Sequence, residues 1–91
     1  MKIINISAMW CPSCLLMKKR FKNIMNDCQN LEIIYLDYDI DYLLVEKYKI
    51  GKILPVVIFI DDNGIELERL VGEQSEKMLG EKIGFYAKEI K

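Results

Sequence analysis

The stretch Trp10-Cys11-Pro12-Ser13-Cys14 decides the fold, because it separates a strand-like segment from an amphipathic helix. Residues 2–6 before it are rich in β-branched side chains, and apolar residues recur at helical spacing over residues 15–28 after it. Cys11 should therefore lie at the first turn of a helix, where backbone N–H groups have no intrahelical partner. The helix dipole at that position favours a thiolate on Cys11 over its thiol.

The second cysteine, Cys14, lies one helical turn beyond Cys11 on the same face, so the two sulfurs are close enough to form a disulfide. A reactive thiolate beside a second thiol is the minimal apparatus for thiol–disulfide exchange.

The two cysteines could instead be a pair with a purely structural role, or they could bind a metal ion. A metal needs more ligands, and Cys28 lies about four helical turns beyond Cys14, too far to join on the same helix. A metal would have to be shared between two chains, and we expect Cys28 to be a small, buried apolar residue.

Length and composition fit one ordinary globular domain. The chain has 91 residues, of which 52% are hydrophobic and 30% charged, and we expect a single domain over residues 1–91. The net charge of -1 gives no reason to expect nucleic acid or an acidic membrane surface as a partner. The longest apolar run, residues 55–60, is far too short to span a bilayer.

The small number of cysteines and the absence of histidine from the sequence indicate thiol chemistry in a reducing compartment. Three cysteines are an odd number and too few for a disulfide framework, and the first residues lack the layout of a secretory signal. We therefore expect a cytoplasmic protein. The sequence contains no His, which excludes Cys/His nucleophile pairs and mixed Cys/His zinc sites.

Hydrophobic patterns predict seven elements in the order βαβαββα. In chain order, these elements are expected at residues 2–6, 15–28, 31–37, 39–51, 52–60, 65–71 and 75–90. A helix crosses between the first two strands, so they should be parallel neighbours. Asp61-Asp62-Asn63-Gly64 predicts a hairpin between the last two strands. Asp39-Ile40-Asp41 and Ser75 offer N-caps for the second and third helices. The expected fold is α/β, with a four-stranded mixed sheet and helices on both faces.

Three sequence marks, in this order and spacing, resemble the thioredoxin superfamily. They are Trp10-Cys11-x-x-Cys14 at a strand-to-helix junction, Pro55 at the start of the third strand, and Val71-Gly72-x-x-Ser75 before the last helix. The resemblance covers essentially all 91 residues, in a compact form without the extra N-terminal strand and helix of full-length thioredoxin. It implies a thioredoxin-like fold and a dithiol–disulfide activity.

The resemblance also implies a role for each matching residue. Cys11 is expected to be the exposed nucleophile, and Cys14 the resolving cysteine. Pro55 matches the family's cis-proline, whose loop faces the cysteine pair, although an ordinary trans proline is the alternative. Trp10 would shield the cysteine pair or merely fill the core, the backbone of Leu54 would face a bound peptide, and Gly72 would let that peptide approach closely. The residues expected at the substrate-binding surface are therefore Trp10, Pro12, Ser13, Leu54, Pro55 and Gly72.

Three positions depart from the family's pattern. Asn5 stands where thioredoxins have a buried aspartate, and Tyr35 falls near the lysine that accompanies it. The dipeptide Pro12-Ser13 has neither the usual thioredoxin nor the usual glutaredoxin form. Such positions tune the stability of the thiolate and with it the reduction potential of the cysteine pair.

The resemblance implies a protein-disulfide reductase that works as a monomer and holds no metal or cofactor beyond its redox-active disulfide. A thioredoxin-reductase-like donor would supply its electrons. A glutathione-dependent, glutaredoxin-like enzyme is the closest alternative, but Leu54 replaces the threonine typical of glutaredoxins and their Gly-Gly pair after the last strand is missing. The alternative from another class is a redox-sensing binding module without turnover, which the loss of the buried Asp/Lys pair leaves open.

Overall fold

The computed structural model describes residues 1–25 and 31–88. The expected position of Cys28 and the predicted end of the first helix lie outside these residues. The elements are β1 (Lys2–Ser7), α1 (Pro12–Met25), β2 (Glu32–Asp37), α2 (Tyr42–Lys47), β3 (Val56–Ile60), β4 (Glu66–Val71) and α3 (Glu76–Lys88). The predicted order βαβαββα is confirmed. No helix within the described ranges is long and apolar enough to cross a membrane.

The four strands form one mixed sheet in the order β2-β1-β3-β4. β1 pairs with β2 in parallel, as the crossing helix requires, and Asn5 lies opposite Tyr35 in that register. β3 runs antiparallel to both β1 and β4. The two central strands, β1 and β3, are therefore covered on both faces, which explains their uninterrupted runs of buried residues.

Successive side chains of the central strands enter two separate cores, because strand residues point alternately to opposite faces. α1 and α3 cover one face, where the buried residues are Ile3, Met17, Phe21, Leu31, Val57, Phe59, Leu70, Leu79, Ile83 and Tyr86. α2 covers the other face, where the buried residues are Ile4, Ile6, Leu36, Val45, Val56, Ile58 and Ile60. The prediction of helices on both faces is confirmed.

The end of α2 and the start of β3 differ most from the sequence predictions, by four residues each. α2 ends at Lys47 rather than at Gly51, because Lys49 already takes a positive φ of 54° and turns the chain. The third strand begins at Val56 rather than at residue 52. Pro55 precedes it because proline has no N–H for a strand ladder.

The two predicted helix caps behave differently. Ser75 caps α3 as expected, since its Oγ accepts a hydrogen bond of 3.1 Å from the Met78 N–H. Asp41 precedes α2, but its carboxylate accepts a hydrogen bond of 2.8 Å from the Asp37 N–H and caps no helix amide. Asp41 therefore fixes the turn after β2 rather than the start of α2.

Burial separates two phenylalanines of similar chemistry, which gives a test of the packing. Phe59 is fully buried and stacks on Tyr86 with ring centroids 4.6 Å apart, whereas Phe85 is 57% exposed. Phe59→Ala should lower the free energy of unfolding by about 3–5 kcal/mol. The control, Phe85→Ala, should lower it by less than about 1 kcal/mol. Urea denaturation measures both changes, and equal losses would contradict the described core.

Candidate active site

Cys11 lies immediately before α1, in the position of a helix N-cap, and Pro12 is the first helical residue. Proline suits that position because its missing N–H would have no intrahelical partner. The Cys14 N–H donates a hydrogen bond of 3.3 Å to Cys11 Sγ. The sulfur thus takes the place that a serine or aspartate oxygen occupies in most N-caps. A negative charge on this sulfur is stabilised by that amide and by the helix dipole.

The expectation of an exposed Cys11 is wrong, because both cysteines are buried. Cys11 is 7% exposed and Cys14 is 3% exposed. The two pack with Ala8 and are covered by the half-buried side chains of Tyr38 and Leu54. Cys11 Sγ also lies 4.0 Å from the Leu54 carbonyl oxygen, to which it donates as a thiol. Tyr38 and Leu54 therefore limit access to Cys11 Sγ.

The environment of the Cys14 thiol differs from that of Cys11. Both sulfurs are free thiols in this structure. Burial raises the pKa of the Cys14 thiol to about 12, with further contributions from the hydrogen bond to Cys11 and from the charge on Cys11, while a backbone hydrogen bond to Ala8 opposes the rise. Cys14 is therefore a neutral thiol near pH 7, whereas Cys11 Sγ accepts an amide hydrogen bond at the helix start.

The loop containing Leu54 and Pro55 lies against the cysteine pair. The Leu54–Pro55 peptide bond is cis, and Pro55 is fully buried. The Gly72 N–H donates a hydrogen bond of 2.8 Å to the Pro55 carbonyl oxygen, which joins the start of β3 to the loop after β4. Gly72 has a φ of 88°, a conformation that favours glycine. The three marks that carry the family resemblance, far apart in sequence, thus meet at one end of the sheet.

Trp10 does not fill the core, because it is 62% exposed. Its indole Nε1 donates a hydrogen bond of 2.7 Å to the Asp39 carboxylate, and its ring meets Tyr38 edge to face with centroids 6.4 Å apart. Tyr38 and Leu54 are the half-buried side chains that pack against the cysteine pair.

Sequence reasoning missed Tyr38 and Asp39 as site residues. They follow β2, whereas the cysteines follow β1, its parallel neighbour. The carboxyl ends of parallel strands lie at the same edge of a sheet. The predicted parallel pairing of the first two strands therefore indicated that the residues after β2 lie near the cysteines.

Asn5 is 1% exposed in the middle of β1, and its Oδ1 has no hydrogen-bond partner among the described residues. By strand alternation it shares the α1-facing side of β1 with Ile3. Tyr35 is its neighbour on β2, as the family alignment implies, and burial raises the pKa of this hydroxyl. Neither side chain can take up a proton near neutral pH.

A groove of about 260 Å³ opens beside Cys14. It is lined by Ser7, Ala8, Met9, Cys14, Leu15, Lys18, Tyr35, Leu36, Asp37 and Asp41. Pro12 is exposed and Ser13 is half-buried in the first turn of α1. Within the described part of the chain, no group of three or more His, Cys, Asp or Glu side chains is placed to hold a metal ion.

The environments of the two thiols predict an ordered reactivity. In the reduced protein near pH 7, iodoacetamide should alkylate Cys11 much faster than Cys14, because the pKa of Cys14 is raised to about 12 and its thiolate is scarce. Peptide mapping after short exposures identifies the labelled residue. A Cys11→Ser variant is the control, and it should leave Cys14 almost unlabelled. Faster labelling of Cys14 would reverse the two roles.

Comparisons with known proteins agree with this geometry. A family model described as thioredoxin matches residues 1–84. No curated protein matches the chain. Thioredoxin 1 from Thermosipho africanus is similar, with a TM-score of 0.81 at 20% identity, covering 97% of this chain and 96% of that chain. For Fasciola hepatica thioredoxin the TM-score is 0.82 at 24% identity, with 92% and 78% covered.

A single-site mutant of thioredoxin from Halobacterium salinarum gives a TM-score of 0.83 at 22% identity, with 94% of this chain and 74% of that chain covered. At such identities the structural likeness establishes the fold alone. The family match over residues 1–84 carries more, because it includes the cysteine pair at the start of α1. The chain belongs to the thioredoxin family of thiol–disulfide oxidoreductases.

Proposed function

We propose that this protein is a protein-disulfide reductase in which Cys11 is the nucleophile and Cys14 the resolving cysteine. The observation that carries the proposal is the hydrogen bond from the Cys14 N–H to Cys11 Sγ at the start of α1. It supports a thiolate on one sulfur, while burial keeps the other protonated. Two thiols so close together, with such different environments, suit sequential roles in one reaction.

The reaction proceeds in two displacements. The Cys11 thiolate attacks one sulfur of the substrate disulfide, forms a mixed disulfide and releases the other substrate sulfur as a thiolate. Cys14 then loses its proton and attacks Cys11 Sγ, which forms the Cys11–Cys14 disulfide and releases the second substrate thiolate. The substrate gains two electrons and the protein loses two. A dithiol donor of the thioredoxin-reductase class returns them by the reverse exchange.

An exposed apolar rim around the cysteines supports proteins as substrates. Met9 is 83% exposed, Trp10 62% and Ile53 61%, and all three border the segments that carry the cysteines and Pro55. Exposed apolar side chains grouped in this way favour contact with another polypeptide. We propose that the protein works as a monomer in the cytoplasm, without a bound cofactor and without a nucleic acid or membrane partner.

A redox-sensing binding module is the second candidate, and the environment of Asn5 is the observation that favours it. The resolving step needs the proton of Cys14, whose pKa is raised to about 12, and Asn5 cannot accept it. A slow resolving step would give a long-lived mixed disulfide or a stable redox state rather than rapid turnover. The disulfide would then switch an interaction with a partner.

An insulin-reduction assay with thioredoxin reductase distinguishes these candidates. The wild type should turn over, and Cys11→Ser should abolish activity because no nucleophile remains. Cys14→Ser should accumulate a mixed disulfide on Cys11, which mass spectrometry detects and which identifies substrates in cell extracts. Cys28→Ser is the matched control and should retain activity. A wild type that forms a reversible Cys11–Cys14 disulfide without turnover would support the sensor instead.

The environment of Asn5 predicts the pH dependence of the resolving step. In the wild type, the rate of attack by Cys14 should rise with pH towards the Cys14 pKa of about 12, because only its thiolate attacks. Asn5→Asp should supply a base and accelerate this step about tenfold or more near pH 7. The buried carboxylate should also lower the free energy of unfolding by about 1–3 kcal/mol.

Stopped-flow reduction of a model disulfide between pH 5 and 9 measures the effect. Asn63→Asp, in the exposed turn between β3 and β4, is the matched control and should change neither the rate nor the pH profile. If Asn5→Asp gains nothing over the wild type, another group removes the Cys14 proton and this account of Asn5 is wrong.

A further inference from the structure

One ridge of α1 connects the cysteine pair to the loop after β4. Cys14, Met17, Arg20 and Asn23 follow one another at intervals of three residues, so each is the surface neighbour of the next along a ridge that winds around the helix. Cys14 belongs to the active site, and Met17 is fully buried in the core between the sheet and α3. Asn23 Nδ2 donates a hydrogen bond of 3.1 Å to the Glu76 carboxylate at the start of α3.

The loop of residues 72–75, hereafter the Gly72 loop, is held by this ridge. Arg20 Nη1 donates a hydrogen bond of 2.6 Å to the Gln74 carbonyl oxygen and lies 3.3 Å from the Glu73 carboxylate. The Gln74 N–H donates to Met17 Sδ at 3.3 Å. The arginine side chain is only 22% exposed, so its contacts are partly shielded from solvent.

The same loop contacts the opposite wall of the active site through the hydrogen bond from the Gly72 N–H to the Pro55 carbonyl oxygen. The Gly72 loop therefore bridges the two parts of the cleft: α1, which carries the cysteines, and the Leu54–Pro55 loop. Arg20 is six residues beyond Cys14, about 9 Å along the helix axis. It can set the position of Gly72 without touching a sulfur.

We propose that Arg20 is a positioning residue for substrate docking, which holds the Gly72 loop at the distance from the cysteines that a bound peptide needs. This inference rests on the proposed function. Without Arg20, the loop keeps its weaker contact with Met17 and moves away from its docking position. A polypeptide disulfide then binds less well, whereas a small disulfide that does not contact the loop reacts as before.

Arg69 offers a matched control. It too donates to backbone carbonyl oxygens, those of Tyr48 at 2.8 Å and Lys49 at 3.4 Å, and it pairs with the Glu66 carboxylate at 2.7 Å. Its side chain is 26% exposed, close to the 22% of Arg20. It tethers the end of α2 instead of the Gly72 loop. Arg69→Ala therefore removes the same kind of tether from a different place.

The test compares Arg20→Ala, Arg20→Lys and Arg69→Ala. With insulin and thioredoxin reductase, Arg20→Ala should raise KM about tenfold and change kcat by less than about twofold. The rate constant of the pre-reduced variant with dithiobis(nitrobenzoate), a small aromatic disulfide, should stay within about twofold of the wild type. Arg20→Lys should recover part of the KM, because an ammonium can still donate to the Gln74 carbonyl oxygen. Arg69→Ala should leave KM unchanged.

Amide hydrogen exchange, measured by NMR, reports the loop independently of activity. The Gly72 N–H should exchange faster in Arg20→Ala and at the wild-type rate in Arg69→Ala. Equal losses with insulin and the small disulfide, an unchanged insulin KM, or unchanged exchange at Gly72 would each overturn the proposed role of Arg20. A wild type that reduces the small disulfide but not insulin would instead overturn the proposed function, and the docking role with it.

Discussion

The hydrogen bond from the Cys14 N–H to Cys11 Sγ is the interaction on which the site depends. It forms because β1 ends just before α1 begins, so Cys11 occupies the N-cap position and Cys14 the third helical residue. The parallel pairing of β1 with β2 places this junction beside Tyr38 and Asp39. The sheet topology therefore brings the helix amides, the two sulfurs and the Tyr38 ring together at the carboxyl ends of β1 and β2.

Burial gives two identical side chains different chemistry. Both thiols are almost completely covered, yet Cys11 Sγ accepts a hydrogen bond from a helix amide, whereas burial raises the pKa of the Cys14 thiol to about 12. Asn5 is buried in β1 of the same sheet and, unlike a carboxylate, its side-chain amide cannot accept a proton near neutral pH.

The cleft has walls from three segments that are far apart in sequence, and polar contacts fix their spacing. Pro55 and Gly72 share a backbone hydrogen bond, and Arg20 attaches the Gly72 loop to the helix of the cysteines. These contacts lie at loops rather than in the core. The two cores on either side of the sheet supply the rigid support, through residues such as Phe59 on one side and Ile58 on the other.

The sequence by itself determined the element order, the position of the cysteines at a helix start, the hairpin and the Ser75 cap. Each of these depends on local periodicity, turn chemistry or capping, which neighbouring residues specify. Only the tertiary structure decided that Cys11 is buried, that Trp10 bonds Asp39 while Tyr38 covers the pair, and that Arg20 holds the Gly72 loop. Those features require residues 20 to 60 positions apart to meet, and their contacts depend on packing rather than on any pattern along the chain.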